Sequence, residues 1–413
     1  MGRTGRLLVL STAFLLTVTA CAGIDPGGDD GGELVFATGA AIRDVHEQVL
    51  ELWNEQNPDM PVRGEWLPDD ADAQRQQMSL ELNAEGSGMD ILALDVMWTG
   101  EFAENGWIES MEDLRGDLEG AVLAGPLASA EYQGELWAVP YNSNAGFLYY
   151  RTDLVDEPPT TWDELTEVGL QAAEEAEIGA FVGQGAQYEG MVVNYLEYLW
   201  GAGGELFDEQ LSEVRFENEP AMIALEFMRD SLEDGLYAPG FNTMQEEEAR
   251  NEFQSGNAVF MRNWPYAYEL LLEEGESEVA DRFDIAPLPT FTGEGTTSAL
   301  GGNNVAVSAF TDNPEGAREF VQFIATDDEV QRILARNAVP PVAEAVYEEL
   351  SDERVFEVLA EVLDEARPRP PIPEWNDISV TMQQELFPAY NDGDDPQSAI
   401  DAIRDHLESV VDG

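Results

Sequence analysis

Four short segments of this chain set planar polar side chains beside aromatic rings. They are Asp95-Val-Met-Trp98, Tyr141-Asn-Ser-Asn144, Asn263-Trp-Pro-Tyr266 and Arg369-Pro-Pro-Ile-Pro-Glu-Trp375. Such pairs suit one kind of chemistry. Carboxylates, amides and guanidinium groups exchange hydrogen bonds with hydroxyls, and a flat ring packs on the apolar face of a pyranose. Taken singly each segment says little, because a lone Trp such as Trp98 serves core packing as readily as ligand stacking. Residues suited to covalent or acid-base work are sparse. His46 and His406 lie in helical patterns among charged residues, which predicts solvated surface positions for both. No Ser-His-Asp signature, clustered metal motif or phosphate loop occurs, and the single cysteine, Cys21, precedes the globular part. The 84 acidic residues guarantee chance pairs of carboxylates, so such pairs carry no argument for glycoside hydrolysis. No catalytic residue, metal ligand or cofactor is called for. A secreted glycosidase and a sugar-sensing ectodomain stand as alternatives to a pure binding protein.

The elements that must position these residues form an α/β pattern. From residue 33 onward, apolar runs alternate with helical patterns. Leu34–Ala37 and Ile91–Leu94 read as buried strands, the second stopping at Asp95. Ala145–Tyr150 and Asn257–Met261 are further strands, while Val45, Val49, Leu52 and Trp53 share one helical face. Thr161-Trp-Asp-Glu164 matches a capping box, and Asn313-Pro314 opens a helix whose inner face carries Ala317, Phe320, Val321 and Ile324. In open α/β sheets, ligands lie beyond the carboxyl ends of strands. Asp95 and Trp98 follow one strand and Arg262-Asn-Trp264 another, so both segments are candidates for one crevice.

The N-terminus bears on the compartment. Arg3 and Arg6 precede a short apolar stretch, Leu7 to Val18, and then Thr19-Ala20-Cys21. This is a secretion signal rather than a membrane span, and a cysteine behind small residues resembles a bacterial lipobox. Residues 1–20 are therefore read as signal peptide, Cys21 as lipidated, and 21–32 as a Gly/Asp-rich tether with too little apolar content to fold. The expected location is outside the cytoplasm, on the cell membrane.

The formal net charge is -65, and all 19 basic residues are Arg. Such a surface repels nucleic acid and anionic lipid headgroups. Adaptation to a salty medium accounts for it, since ions screen the self-repulsion. The melting temperature is therefore expected to rise with salt concentration, and equal values in low and high salt would refute that account.

The motifs together resemble a known family. Leu94-Asp-Val-Met-Trp-Thr-Gly-Glu-Phe102 with Gly106-Trp107, Ala138-Val-Pro-Tyr-Asn-Ser-Asn-Ala-Gly-Phe-Leu-Tyr-Tyr-Arg151 and Gln187-Tyr-Glu-Gly190 occur in that order. Arg262-Asn-Trp-Pro-Tyr-Ala267, Leu300-Gly-Gly302 and Pro368-Arg-Pro370 follow. Their order and spacing resemble the trehalose/maltose-binding proteins within the maltose-binding-protein-like receptors of ABC importers. The resemblance implies a two-lobe (type II) periplasmic-binding-protein fold with a central cleft crossed by hinge strands. It implies lobes of 33–141 with 303–345 and 142–302 with 346–413, with crossings near Ala138–Asn144 and Ser298–Asn304. It also implies a monomer that hands a disaccharide or small α-glucoside to membrane permease subunits.

Carried over by position, the resemblance makes Asp95 a hydroxyl acceptor and places Asn142 and Asn144 on the hinge strand facing ligand. Trp264 would stack on a glucose ring with Tyr266 beside it, Gly301 and Gly302 would let the backbone approach the sugar, and Arg369 would donate a forked set of bonds. Arg75 and Glu189 are further contacts or, equally, solvated charges. Three positions depart from relatives: Asn303 stands where Trp is common, and Asn142 and Asn144 stand where close relatives carry an aromatic residue and an Asp. Trp375 is either a replacement stacking surface or an exposed rim residue.

Overall fold

In a computed structural model, the structure describes residues 32–412 except 209, 274, 351, 352 and 364. The calls on the signal peptide, Cys21 and nearly all of the tether fall outside the described residues. Among the described residues, no helix is long and apolar enough to cross a membrane.

The strands are β1 (Leu34–Gly39), β2 (Val62–Leu67), β3 (Ile91–Asp95), β4 (Glu131–Tyr132), β5 (Glu135–Leu136) and β6 (Val139–Ala145). They continue as β7 (Phe147–Arg151), β8 (Gly179–Val182), β9 (Ala258–Asn263), β10 (Phe283–Ala286) and β11 (Leu300–Val307). Two main sheets result, ordered β2-β1-β3-β11-β6 and β10-β7-β9-β8, with β4 and β5 as a separate hairpin. In the first sheet β1 runs parallel to β2 and β3, while β11 is antiparallel to β3 and β6. β1, β3 and the last residues of β11 are buried apolar runs, as strands covered on both faces must be. Each sheet is the centre of one lobe.

The run Ala145–Tyr150, expected as one strand, is divided at Gly146. β6 belongs to the first sheet and β7 to the second. A Cβ at Gly146 would lie 2.6 Å from Arg262 Nη2 and 2.8 Å from Glu197 Oε1, so only glycine lets the backbone pass this buried ion pair. The returning crossing lies alongside. Ser298 Oγ donates to the Gly146 carbonyl at 2.7 Å, and Ala299 bridges in parallel to Arg367.

Local signals otherwise act much as read. Asn313 accepts the Gly316 N–H at 3.1 Å and Pro314 fills the first turn of the Pro314–Thr326 helix, whose buried face includes Ala317, Phe320, Val321 and Ile324. Thr161 Oγ1 accepts from Glu164 N at 3.0 Å, but Glu164 reaches back to the N–H of Thr160 rather than Thr161. One histidine reading fails. His46 is 3% exposed, lying between Val45 and Val49 on the inner arc of the Arg43–Gln56 helix and stacked between Trp66 and Tyr141. Charged neighbours in sequence point outward, while the ring itself turns to the core. His406 is partly exposed, with Nε2 3.2 Å from Asp377 Oδ2.

Candidate functional site

The carboxyl ends of strands in both sheets converge on one cleft. β1 supplies Thr38 and Gly39, β3 supplies Asp95, and the segment after β9 supplies Trp264 and Tyr266. The Glu189–Gly201 helix, reached from β8, presents Glu189 at its first residue. Asn142, Asn144, Gly301, Gly302 and Arg369 also line the cleft. The cavity is about 200 Å³ and continues, past Asp95, Gln74, Glu246, Trp264, Tyr266 and Asn303, into a second hollow of about 320 Å³. Together they reach the lower part of the roughly 300–1,000 Å³ typical of small-ligand sites. A wider groove of about 830 Å³, between the 203–217 loop and Pro368–Pro371, holds none of the expected residues.

Arg369 ties the two lobes. Its guanidinium is 2% exposed and donates from Nη1 to Glu189 Oε1 at 2.7 Å and from Nη2 to Asp95 Oδ1 at 2.8 Å. The fork expected for hydroxyls is thus spent on carboxylates, and Nε has no partner among the described residues. Glu189 is no solvated charge: it also accepts from Trp375 Nε1 at 3.0 Å and from Ser379 Oγ.

Trp264 is mounted on a buried charge. The Arg262 guanidinium carbon lies 4.0 Å from the centroid of its ring, and the Tyr149 hydroxyl donates to the Trp264 carbonyl at 2.7 Å. Arg262 is itself paired with Glu197 through Nε at 2.9 Å and Nη2 at 2.6 Å, both side chains being 2% exposed. A cation beneath the ring orients it. Tyr266 donates its hydroxyl to Glu247 at 2.6 Å, and burial together with that carboxylate holds the phenol well above its usual range.

The glycine pair has a reason beyond ligand approach. A Cβ at Gly301 would meet Asn144 Oδ1 at 2.4 Å and the Trp264 ring at 3.0 Å. Gly302 has φ +121°, and its Cβ would meet the Asn142 carbonyl at 2.3 Å. Neighbouring protein atoms therefore demand both glycines. Asn142 Oδ1 accepts from Asn303 N at 3.0 Å, whereas Asn144 Oδ1 is buried without a partner among the described residues.

Two expected residues lie off the cleft wall. Arg75 bonds Glu101, with Nε 2.7 Å from Oε2, because that carboxylate is 8% exposed and needs a counter-charge. Trp375 is 2% exposed, neither stacking surface nor rim; its indole N–H holds Glu189. Trp98, 7% exposed, lines the second hollow. Sequence reasoning missed His46, Gln74, Glu246 and Thr38 on the wall. Burial pushes the His46 imidazole down to about 3, so it is neutral there, with Nδ1 3.4 Å from Thr38 Oγ1. The strand-end rule that singled out Asp95 also finds Thr38; nothing local marks Glu246 within its run of glutamates. Glu246 accepts from the Tyr188 hydroxyl at 2.7 Å, and burial raises its carboxyl. Among the described residues, no cluster of His, Cys, Asp and Glu is placed to hold a metal ion.

Residues 38–331 match the family described as bacterial extracellular solute-binding protein. The chain belongs to that family. It is 30% identical, over 83% of its length and 85% of the relative's, to a probable ABC transporter-binding protein of Deinococcus radiodurans. It is 24% identical, over 81% of its length and 72% of the relative's, to a maltotriose-binding protein of Pyrococcus abyssi. Among solved structures, maltose-bound MalE3 of T. maritima superposes with TM-score 0.86 and 32% identity, covering 92% of this chain and 99% of that one. The GacH receptor of Streptomyces glaucescens, at 22% identity and TM-score 0.80, shares the fold over 92% and 98% of the two chains. The solute-binding protein thus has the two-lobe α/β periplasmic-binding-protein fold expected from its motifs.

Proposed function

We propose that this solute-binding protein captures a disaccharide or small α-glucoside, with trehalose or maltose favoured, and delivers it to an ABC permease. One observation carries the reading. Asp95, Trp264 and Arg369, far apart in sequence, share one cleft in which an arginine-backed indole faces hydroxyl-bonding side chains. Pyranose rings need that pairing of flat apolar surface and planar polar partners. Arg369 Nε and Asn144 Oδ1, unpartnered among the described residues, are natural partners for sugar hydroxyls, since an unmet buried polar group costs about 1–3 kcal/mol. The maltotriose and maltose named for two relatives point to the same class.

In this reading the moving bodies are 33–141 with 303–345 and 142–302 with 346–413, turning about the crossings at Gly146 and Ser298. Ligand bridges both lobes and favours the closed form. The closed receptor then docks on the permease as a monomer, and a lipid on Cys21 keeps it close, raising its effective concentration. The protein binds without turnover.

Titration calorimetry in high salt with maltose, trehalose and sucrose tests this. At least one sugar is expected to bind, with no release of glucose. Trp264→Ala is expected to weaken that binding about 100-fold or more, the loss of a buried aromatic anchor, with an unchanged circular dichroism spectrum. Unchanged affinity in the variant removes Trp264 from the site, and hydrolysis of the sugar replaces the reading with a glycosidase.

A further inference from the structure

The lobes also touch beside the cleft, at the first turn of the Ala71–Asn83 helix. Asp70, its cap, accepts from Gln245 Nε2 at 2.6 Å, and Asp72 accepts from Gln383 Nε2 at 3.0 Å. Gln245 and Gln383 belong to the opposite lobe, the first as the cap of the Glu246–Gln254 helix and the second midway along the Trp375–Asn391 helix. The backbone N–H of Glu189 also favours the ionised form of Asp72 from across the cleft. We propose that Asp72 is a latch that takes up a proton as the cleft closes, so that sugar capture tightens in acidic media. The proposal rests on the reading of the cleft as a sugar site.

Burial at the lobe contact and the charges around Asp72 act in the same sense. On its own side stand Asp69, Asp70 and Arg75, the last held by Glu101. Facing it, the Glu189–Gly201 helix presents Glu189, and the Trp375–Asn391 helix presents neutral Ser379 and Gln383. The Glu246–Gln254 helix brings Glu246, Glu247 and Glu248 to the mouth. Arg369 is committed to Asp95 and Glu189. Among the described residues, no cation bonds Asp72. Burial and then Glu189 push its carboxyl up to about 6, against the pull of Gln383. Asp69, more open to water, is raised in the same sense by burial, Glu247 and Glu248.

In the open form these opposing groups part, and Asp72 returns toward the usual carboxylate range. Closure is then favoured below about pH 6. The gain is complete near the ordinary Asp value, about 4, and is lost as pH rises through the closed-form value.

Calorimetry with maltose and trehalose at pH 4.5 and 7.5 is the test, alongside small-angle scattering of the sugar-free protein. The Kd is expected to fall about tenfold from pH 7.5 to 4.5. Asp72→Asn should bind at pH 7.5 nearly as tightly as the parent does at pH 4.5. It should retain only a smaller change, the share of Asp69 and Glu246. Gln383→Leu, which removes the bond favouring ionised Asp72, should steepen the dependence. A parent Kd equal at both pH values, or the full shift persisting in Asp72→Asn, overturns the latch. If neither sugar binds, the sugar reading fails, and scattering decides the latch by itself. Acid-induced compaction lost in Asp72→Asn upholds it; no compaction in the parent rejects it.

Discussion

Arg369→Leu is expected to weaken sugar binding by about two to three orders of magnitude while the fold persists. The guanidinium is buried and bonds Asp95 at the end of β3 and Glu189 on the opposite lobe. Removing one partner of a buried pair costs about 3–5 kcal/mol, chiefly because the remaining charges stay desolvated and unpaired. Here two carboxylates would face each other across the cleft, and each has an easy escape: the lobes open and water returns. The penalty therefore falls on closure, and closure is what binding requires. A drop of 3–4 kcal/mol is about two to three decades in Kd. Arg369→Lys should recover only part of the loss, because a compact ammonium lacks the rigid planar fork whose separate nitrogens reach the two carboxylates. Calorimetry with the tightest-binding sugar, with circular dichroism as a check on the fold, reads the effect. A Kd within threefold of the parent would mean that the bridge has no part in capture.

Glu197→Leu is expected to strike the fold instead. Glu197 takes two bonds from Arg262 and one from the Ala299 N–H, all within the second lobe and its crossing strand. Both side chains of this pair are 2% exposed and lie in one lobe. Its loss should cost about 3–5 kcal/mol of stability and lower the melting temperature by several degrees. Glu197→Leu combined with Arg262→Met should regain most of that stability, since an apolar pair of similar volume is often neutral. The double variant separates two roles. It should melt near the parent temperature yet bind sugar more weakly, because Trp264 has lost the cation beneath its ring. If the double variant melts as low as the single one, the ion pair is not what Glu197 contributes.

The comparison of these two arginines shows how position decides meaning. Arg262 opens Arg-Asn-Trp-Pro-Tyr and Arg369 lies within Pro-Arg-Pro, and both are equally buried. One spans the cleft and the other lies within a lobe, and only the packing reveals which.

Much of the design was nevertheless legible along the chain. Apolar runs marked β1 and β3, the Asn313-Pro314 start marked its helix, and strand ends pointed to Asp95 and Trp264 as neighbours of a crevice. Those signals are local, because strand burial, capping and the end of a strand are set by residues within a turn or two. What the tertiary structure alone decided is the pairing of groups distant in sequence. His46 went inward, Arg75 went to Glu101, Trp375 went under Glu189, and Arg369 bound carboxylates. A buried polar or charged group must find a partner wherever the fold brings one within reach. In a chain with 84 acidic residues against 19 arginines, composition promises every arginine a partner but cannot say which one. That choice belongs to the packing of the two lobes.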